Sequence, residues 1–588
     1  VIIDESEQAV RHLFGKTVQS LPITFSCLLK VLRGAARVVC ADADAGPLTH
    51  QLLTDCAGRT QGLLNVTNTW GGWGFSGSCR VEVLRCRQKS GRMQLWAAAI
   101  EAVKGLQEGQ RVVIACTAKA QAEEIEGMLR AEGLGQGLLL VTSETRGEVE
   151  QARFLSDPNA NMPRVLIHTS CMGTGVSLTV PVERVFVSGA ASVKGFTGAD
   201  VVQLMTRARN QAHPPLLWLE NRTYPDMPRD VPSALAQAAR LLNEAAGLVE
   251  RTGGVSAHMR RTFRAEVAQA GFDGEGESGK LFSLQLASEA ETGRGGWDLA
   301  NATLEVLAER GAQVVEVDGA GGAVVEVMKA GAKDARGQAD TAQAQLVCEV
   351  ERPPVEKLDT LRQLGTRAAE AQLTRAEIER RGVEVTPAAA LAAVVDGALG
   401  KGRALAEVAT HAKGGEGAAY LVGRAAGEVQ DCPAKRDTMR AALQADWTAK
   451  VLRVAGLAGV VAEGGEVVGA GQAVDIGEAQ RVEAVRAFLD THRDSLEAAG
   501  FSLPQVGCAP HLIRSWLINR LGGLGVEVER TGRNGGRQRR GKHRPYYVTP
   551  AAVAAAWTWA QRPFLDLVGA AEADAAGWQG CHLADVHS

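Results

Sequence analysis

Asp4 and Glu5 follow three apolar residues, Val1, Ile2 and Ile3, in the opening string VIIDESEQ. A buried parallel strand delivers side chains in this way to the end of a sheet, where a nucleotide can sit. One carboxylate there could hold magnesium and its neighbour could activate a water against a phosphate. Much further on, the string GADVVQLMTRARN places Gln203, Arg207 and Arg209 on one helical stretch. An amide and two guanidinium groups suit the recognition and neutralisation of phosphate charge. Between these poles, hydroxyls close several apolar runs: Thr117 after RVVIAC, Thr142 and Ser143 after LLLV, Thr169 and Ser170 after VLIH. They are candidate contacts to a nucleic-acid backbone, and Gly173, Thr174 and Gly175 come directly after the last pair.

Such a site also needs a glycine-rich phosphate loop, and two strings approach its pattern. Gly15-Lys16-Thr17 lacks the required glycine, since Val10 stands in its place, and the preceding ESEQAVRHLF has helical spacing. GEGESGKL supplies Gly274, Gly279 and Lys280, but Leu281 replaces the magnesium-binding hydroxyl. Asp273, Glu275 and Glu277 would face a triphosphate with like charge, so this string reads as an acidic linker.

The elements that must position these residues follow from periodicity. From Arg111 onward, RVVIAC, LLLVTS, PRVLIHTS, ERVFVSG and PLLWLE are short apolar strands. Helical segments separate them, such as TAKAQAEEIEGMLRAEG with its terminal glycine. That alternation predicts an α/β fold with a doubly wound, mostly parallel sheet and functional residues at the strand ends. ARVVCADADAG is a further strand tipped by Asp42 and Asp44.

In their order along the chain, DESE, ADAD, ACTAKA, TSCMGTGVS and QLMTRAR resemble motifs II to VI of superfamily 2 helicases. The forms DESEQAVRHL, CADAD and Q-x-x-x-R-x-R are similar to those of the plasmid replication proteins first described from cyanobacteria, which are related to phage and herpesvirus-type origin-binding helicases. The resemblance covers residues 1–225 and, loosely, the C-terminal domain. It implies RecA-like domains, ATP and Mg2+ as cofactors, and DNA, single-stranded and duplex, as partner at a replication origin, with other replication proteins beside it. It implies that Asp4 holds the magnesium and that Glu5 orients and deprotonates the attacking water. It further implies that Gln203 senses the γ-phosphate, that Arg207 and Arg209 supply the arginine fingers, and that Thr174 and Gly175 couple nucleotide state to DNA. Motif I is missing before Val1, so the chain is expected to be truncated ahead of motif II and inactive alone.

The remaining sequence is organised by composition. Residues 226–475 are rich in Ala, Glu and Gly and read as mainly helical, with strand-like pieces in AQVVEV and AAYLVG. His168, His258 and His411 have no partners at ligand spacing and read as structural. Cys581, His582 and His587 belong to a frayed tail. Near the C-terminus, CAPHLIRSWLINRLGGLG is a helix closed by Gly522-Gly523. VEVERTG and RPYYVTP then form two strands joined by RNGGRQRRGKH. A helix followed by such a hairpin is the winged-helix arrangement. Arg530, Arg533, Arg537, Arg539, Arg540, Lys542 and Arg544 place seven positive charges there without an acid between them. On a chain of net charge -3 that is a local patch fit to neutralise phosphates, and Arg514, Asn519 and Arg520 on the helix are candidates to read bases.

With 588 residues, 45% hydrophobic and 22% charged, the composition is that of a multidomain globular protein. The 11 scattered cysteines contain no C-x-x-C and read as reduced thiols, hence a cytoplasmic location. No apolar run approaches a membrane span. The expected organisation is a partial RecA-like domain at 1–90, a complete one at 91–225, a helical region at 226–475, a winged-helix-like domain at 476–570 and a tail at 571–588. The expected function is part of an ATP-dependent DNA helicase in plasmid or phage replication initiation. The alternative is a non-catalytic DNA-binding initiator that keeps the helicase scaffold.

Overall fold

The computed structural model describes residues 1–14, 18, 20–41, 46–61, 64, 80–86, 88–172, 176–191, 196–222, 227–261, 263, 276–395, 397–431, 436–462, 473–524, 526–530 and 546–560. The chain separates into two compact units, Val1–Leu235 with Lys280–Leu373, and Ala236–Gly279 with Thr374–Ser588.

The first unit opens with β1 (Ile2–Asp4), α1 (Ser6–Leu13), α2 (Leu21–Gly34), β2 (Val39–Ala41) and α3 (Pro47–Gln51). β1 and β2 pair in parallel, Asp4 opposite Ala41. Helical spacing buries Val10, Phe25, Leu29, Leu32 and Leu48 in a local core. The expected buried strand is not buried: Ile2 is 79% and Val39 53% exposed. The two strands pair only with each other among the described residues, and the exposure of Ile2 and Val39 shows that this face of the small sheet is not covered as a buried parallel sheet is.

A seven-stranded sheet follows, built from β3 (Arg80–Leu84), β4 (Val112–Cys116), β5 (Leu138–Val141), β6 (Val165–His168), β7 (Arg184–Gly189), β8 (Leu216–Leu219) and β9 (Gln313–Val317). Its order is β5-β6-β4-β7-β8-β3-β9 and every pairing is parallel. The apolar runs are continuous because both faces are covered. Val113, Ala115, Leu166 and Val187 pack with α6 (Val149–Ser156), α7 (Gly198–Thr206) and the helix Leu299–Glu309. Val112, Ile114, Ile167 and Phe186 pack with α4 (Lys89–Lys104), α5 (Lys119–Ala131) and the helix Gly322–Glu349. The α/β class and the parallel sheet are as the periodicity predicts.

The boundaries differ from those expected. β3 precedes residue 91, and β9 lies in the stretch read as a helical middle, yet the two pair over five positions, from Arg80 opposite Gln313 to Leu84 opposite Val317. Periodicity identifies AQVVEV as a strand but carries no information about its partner. Gly276–Leu281 of GEGESGKL opens a helix running to Trp297, with Leu281 and Phe282 buried, and is no linker.

The second unit is mainly helical, with a small antiparallel sheet of β10 (Val474–Asp475), β11 (Val528–Arg530) and β12 (Tyr546–Val548) in the order β10-β12-β11. AAYLVG lies inside the helix Gly415–Asp431, because Ala418, Val422, Ala425 and Val429 bury at helical spacing and override the short apolar run Tyr420-Leu421-Val422. The helix Pro510–Gly523 begins at its proline and buries Ile513, Trp516, Leu517 and Leu521. Among the described residues no helix is long and apolar enough to cross a membrane.

Candidate functional site

The turn from β1 into α1 is made by Glu5, whose φ of 51° is the one positive value outside glycine among the described residues. A left-handed conformation at a residue with a Cβ costs about 1–2 kcal/mol, so the surroundings hold it there. Its carboxylate is fixed from two sides. Gln203 Nε2 donates to Glu5 Oε2 at 2.6 Å, and Arg207 Nη1 stands 3.7 Å from Oε1. The two ionic side chains are about one-seventh exposed (14% and 15%), so water screens their attraction only in part.

This contact is one rung of a ladder between two helices. The Gln8 amide bonds Gln203, and Arg11 donates to Asp200 at 2.9 Å and to Thr197 at 3.2 Å. Residues 5, 8 and 11 therefore meet 207, 203 and 200 as α1 and α7 run antiparallel. Thr197 and Asp200 also form the capping box that starts α7. Asp200 thus serves the cap and Arg11 together, and the helix carrying Gln203 is fixed at its N-terminus. Burial and the nearby Arg209 lower the pKa of Arg207, against the pull of Glu5, and its Nη1 also donates to the Val176 carbonyl at 3.3 Å. Arg209 lies beyond the end of α7 and is exposed.

The other acids of DESE divide the remaining work. Asp4 is exposed at the strand end and accepts from the Glu5 amide at 3.1 Å. Glu7 is buried and accepts from Gly46 N at 2.7 Å and Thr49 N at 2.9 Å, which caps α3. No group of three or more His, Cys, Asp or Glu among the described residues could hold a metal ion by itself. Magnesium on a triphosphate needs only one or two protein carboxylates beside phosphate and water, so the exposed carboxylate of Asp4 fits that duty. The amide and guanidinium at Gln203 and Arg207 likewise fit an anionic phosphate.

Sequence reasoning missed Gln8 and Arg11, whose three-residue spacing from Glu5 along one helix face was the available signal. His168 read as structural, and its burial agrees with that reading. His168 ends β6, is fully buried, and lines a cavity of about 50 Å³ with Gln8, Ser170, Gln203 and Arg207. Its Nδ1 lies 3.1 Å from the Thr169 carbonyl, while Nε2 has no hydrogen-bond partner. Burial holds its pKa down to about 4, so the ring is neutral and, with Nδ1 facing the Thr169 carbonyl, Nε2 is the acceptor.

The strand-end hydroxyls are mostly spoken for. Thr117 accepts from Ala190 N at 2.8 Å and is buried. Thr142 is fully buried in a turn with Thr145, and Thr169 bonds Cys171. In this conformation only Ser143 and Ser170 of that set are exposed. The correction has a simple cause: a hydroxyl at a strand end satisfies the local turn as readily as a phosphate. At Ser143 a second segment crosses the surface. Gly147 N donates to the Gly365 carbonyl at 2.9 Å, and Arg367 N to Glu148 at 3.1 Å. A methyl on Gly147 would lie 1.9 Å from the Leu364 carbonyl oxygen, so the two backbones touch.

In the second unit Asn519 is exposed on the helix Pro510–Gly523, whereas Arg514 lies 4.8 Å from the Tyr546 ring and Arg520 4.8 Å from the Phe501 ring. Asp42, Asp44, Gly173, Thr174, Gly175, Arg533, Arg537, Arg539, Arg540, Lys542, Arg544, Gly15-Lys16-Thr17 and the tail at 571–588 fall outside the described residues. No protein-family model and no curated protein matches the chain.

Proposed function

We infer that the chain is part of an ATP-dependent DNA helicase of the plasmid or phage replication type, acting in the cytoplasm at a replication origin. The observation that carries the reading is the convergence of Glu5 with Gln203 and Arg207 across 198 residues of sequence, at a strained strand-to-helix turn. The residues that meet are those the helicase resemblance pairs across a nucleotide cleft. In this reading the seven-stranded sheet is the second RecA-like domain, extended by β3 and β9.

Bound ATP and magnesium would supply the phosphoryl group under attack and most of the compensation of its charge. Asp4 would hold the hydrated ion. Glu5 would orient the attacking water and take its proton. Its carboxylate accepts from Gln203 and stands beside Arg207, and in this reading both partners would be shared with the phosphate when nucleotide binds. Gln203 and Arg207 then turn to the anion, and Arg11 keeps α7 in place through Asp200 while they do so. Thr174, Gly175 and Arg209 would complete the cleft. Ser143 and Ser170 are the hydroxyls free to contact a DNA backbone.

One feature favours the second reading, a non-catalytic DNA-binding initiator. Gly279 and Lys280 lie within a helix, so the better of the two phosphate-loop strings is no loop. In both readings the second unit is a winged helix whose basic wing binds duplex DNA, and other replication proteins are partners.

The two readings separate by experiment. Residues 1–588 alone should show no magnesium-dependent ATP hydrolysis above background. Supplied with a phosphate-loop-bearing partner domain, the chain should hydrolyse ATP, and Glu5→Gln should lower kcat by about 10²–10⁴-fold. DNA binding without turnover under that condition supports the initiator; turnover unchanged by Glu5→Gln removes Glu5 from the mechanism.

A further inference from the structure

The helix Pro510–Gly523 sorts its polar side chains in a way its sequence does not announce. Its core face is Ile513, Trp516, Leu517 and Leu521. Its two arginines are drawn to the flanks and held there by aromatic rings, Arg514 over Tyr546 of β12 and Arg520 over Phe501, with Trp516 at 5.3 Å. Burial lowers the pKa of Arg520, which marks a guanidinium folded against the protein. The face left to solvent is His511, Ser515 and Asn519, with Leu512 beside them at 45% exposure.

We propose that His511, Ser515 and Asn519 form the surface that reads base sequence in duplex DNA, and that Arg514 does not. The inference rests on the DNA-binding reading of the second unit. Positions i, i+4 and i+8 lie along one stripe of about 12 Å, close to the rise of three to four base pairs and narrow enough for the major groove. A stripe built to grip phosphates would present its cations. This one turns them aside and presents neutral donors and acceptors, which suit base edges: asparagine pairs with adenine through two bonds, and serine bonds any base. Leu512 adds an apolar contact of the kind that meets a thymine methyl. Charge supports the same occupant, since Pro510–Gly523 contains no carboxylate and the sequence joining β11 to β12 carries the uninterrupted basic run.

The test uses the full chain. Randomised duplex DNA is selected for binding, and the affinity for the enriched duplex is compared with that for a scrambled one at several salt concentrations. Asn519→Ala should cut the preference for the enriched duplex by roughly tenfold or more, with unchanged affinity for scrambled DNA and an unchanged salt slope. Ser515→Ala and His511→Ala should shift the preference at neighbouring base pairs. The three positions are exposed, so an unaltered thermal unfolding curve accompanies the supporting result. Preference unchanged in all three variants, or altered by Arg514→Ala instead, overturns the assignment. Enrichment of no sequence overturns base reading while leaving salt-dependent DNA contact in place. No binding to any duplex overturns the DNA reading itself.

Discussion

At Glu5 a single residue carries backbone strain and the only carboxylate that Gln203 and Arg207 share, and the two can be separated by mutation. Glu5→Ala removes the carboxylate and keeps the left-handed φ of 51°, whereas Glu5→Gly removes both. Thermal unfolding should therefore rank Glu5→Gly above Glu5→Ala by about 1 kcal/mol. The reverse order would show that the turn is not strained. His168 makes a second prediction, on pH. Its pKa of about 4 in the folded chain lies below the ordinary 6.5, so the unfolded chain takes up the extra proton. Its contribution to stability is complete above pH 6.5 and falls as pH drops toward 4, by about 3 kcal/mol across that window. His168→Gln should flatten this part of the stability profile, and an unchanged profile would place the acid sensitivity elsewhere. At this scale the sequence picked out Glu5, Gln203 and Arg207 separately by motif, and the structure brings the three side chains together. Gln8 and Arg11 share a helix face with Glu5, but their partners lie on α7, and the spacing on α1 alone does not say which residues they meet. The threonines misled because a hydroxyl looks the same in sequence whether it faces a phosphate or its own turn.

Among the elements, most strands of the large sheet were legible, β3 was not, and neither was the company they keep. Five of them announced themselves by apolar runs bounded by turns, as strands buried on both faces do. AQVVEV read correctly as a strand, but its pairing with β3 is set by packing between distant segments. AAYLVG read wrongly because a short apolar run weighs less than the helical stripe of alanine and valine around it. The crossing at Gly147 is the sharpest test of this level. A Cβ there meets the Leu364 carbonyl at 1.9 Å and Thr366 Cγ2 at 3.2 Å. Gly147→Ala should destabilise the first unit by about 1–3 kcal/mol, since a backbone atom cannot step aside as a side chain can. Hydrogen exchange should quicken at the Gly147 amide, whose acceptor is the Gly365 carbonyl. Full stability with unchanged exchange would mean that the two segments do not touch.

For the whole molecule, DNA affinity in the proposed function is expected to follow local charge, because the net charge of -3 offers no general attraction to phosphate. Replacing Arg537, Arg539 and Arg540 together with alanine should lower affinity for all duplexes alike. It should also reduce the log–log salt slope by roughly 2–3. Fluorescence anisotropy at graded salt measures both, and unchanged values would leave the basic run as a solvated loop. The large sheet carries a consequence in time. β3 is the first of its seven strands to be made, yet it lies between β8 and β9, the last two. Its β9 edge stays open until roughly 230 further residues have been synthesised, which at about 5–20 residues per second means roughly 10–45 seconds on the ribosome. Through that interval Arg80 and Glu82 stand on β3 among the apolar Val81, Val83 and Leu84. Charge on an open strand is what keeps a nascent chain from pairing with its neighbour before its own partner arrives.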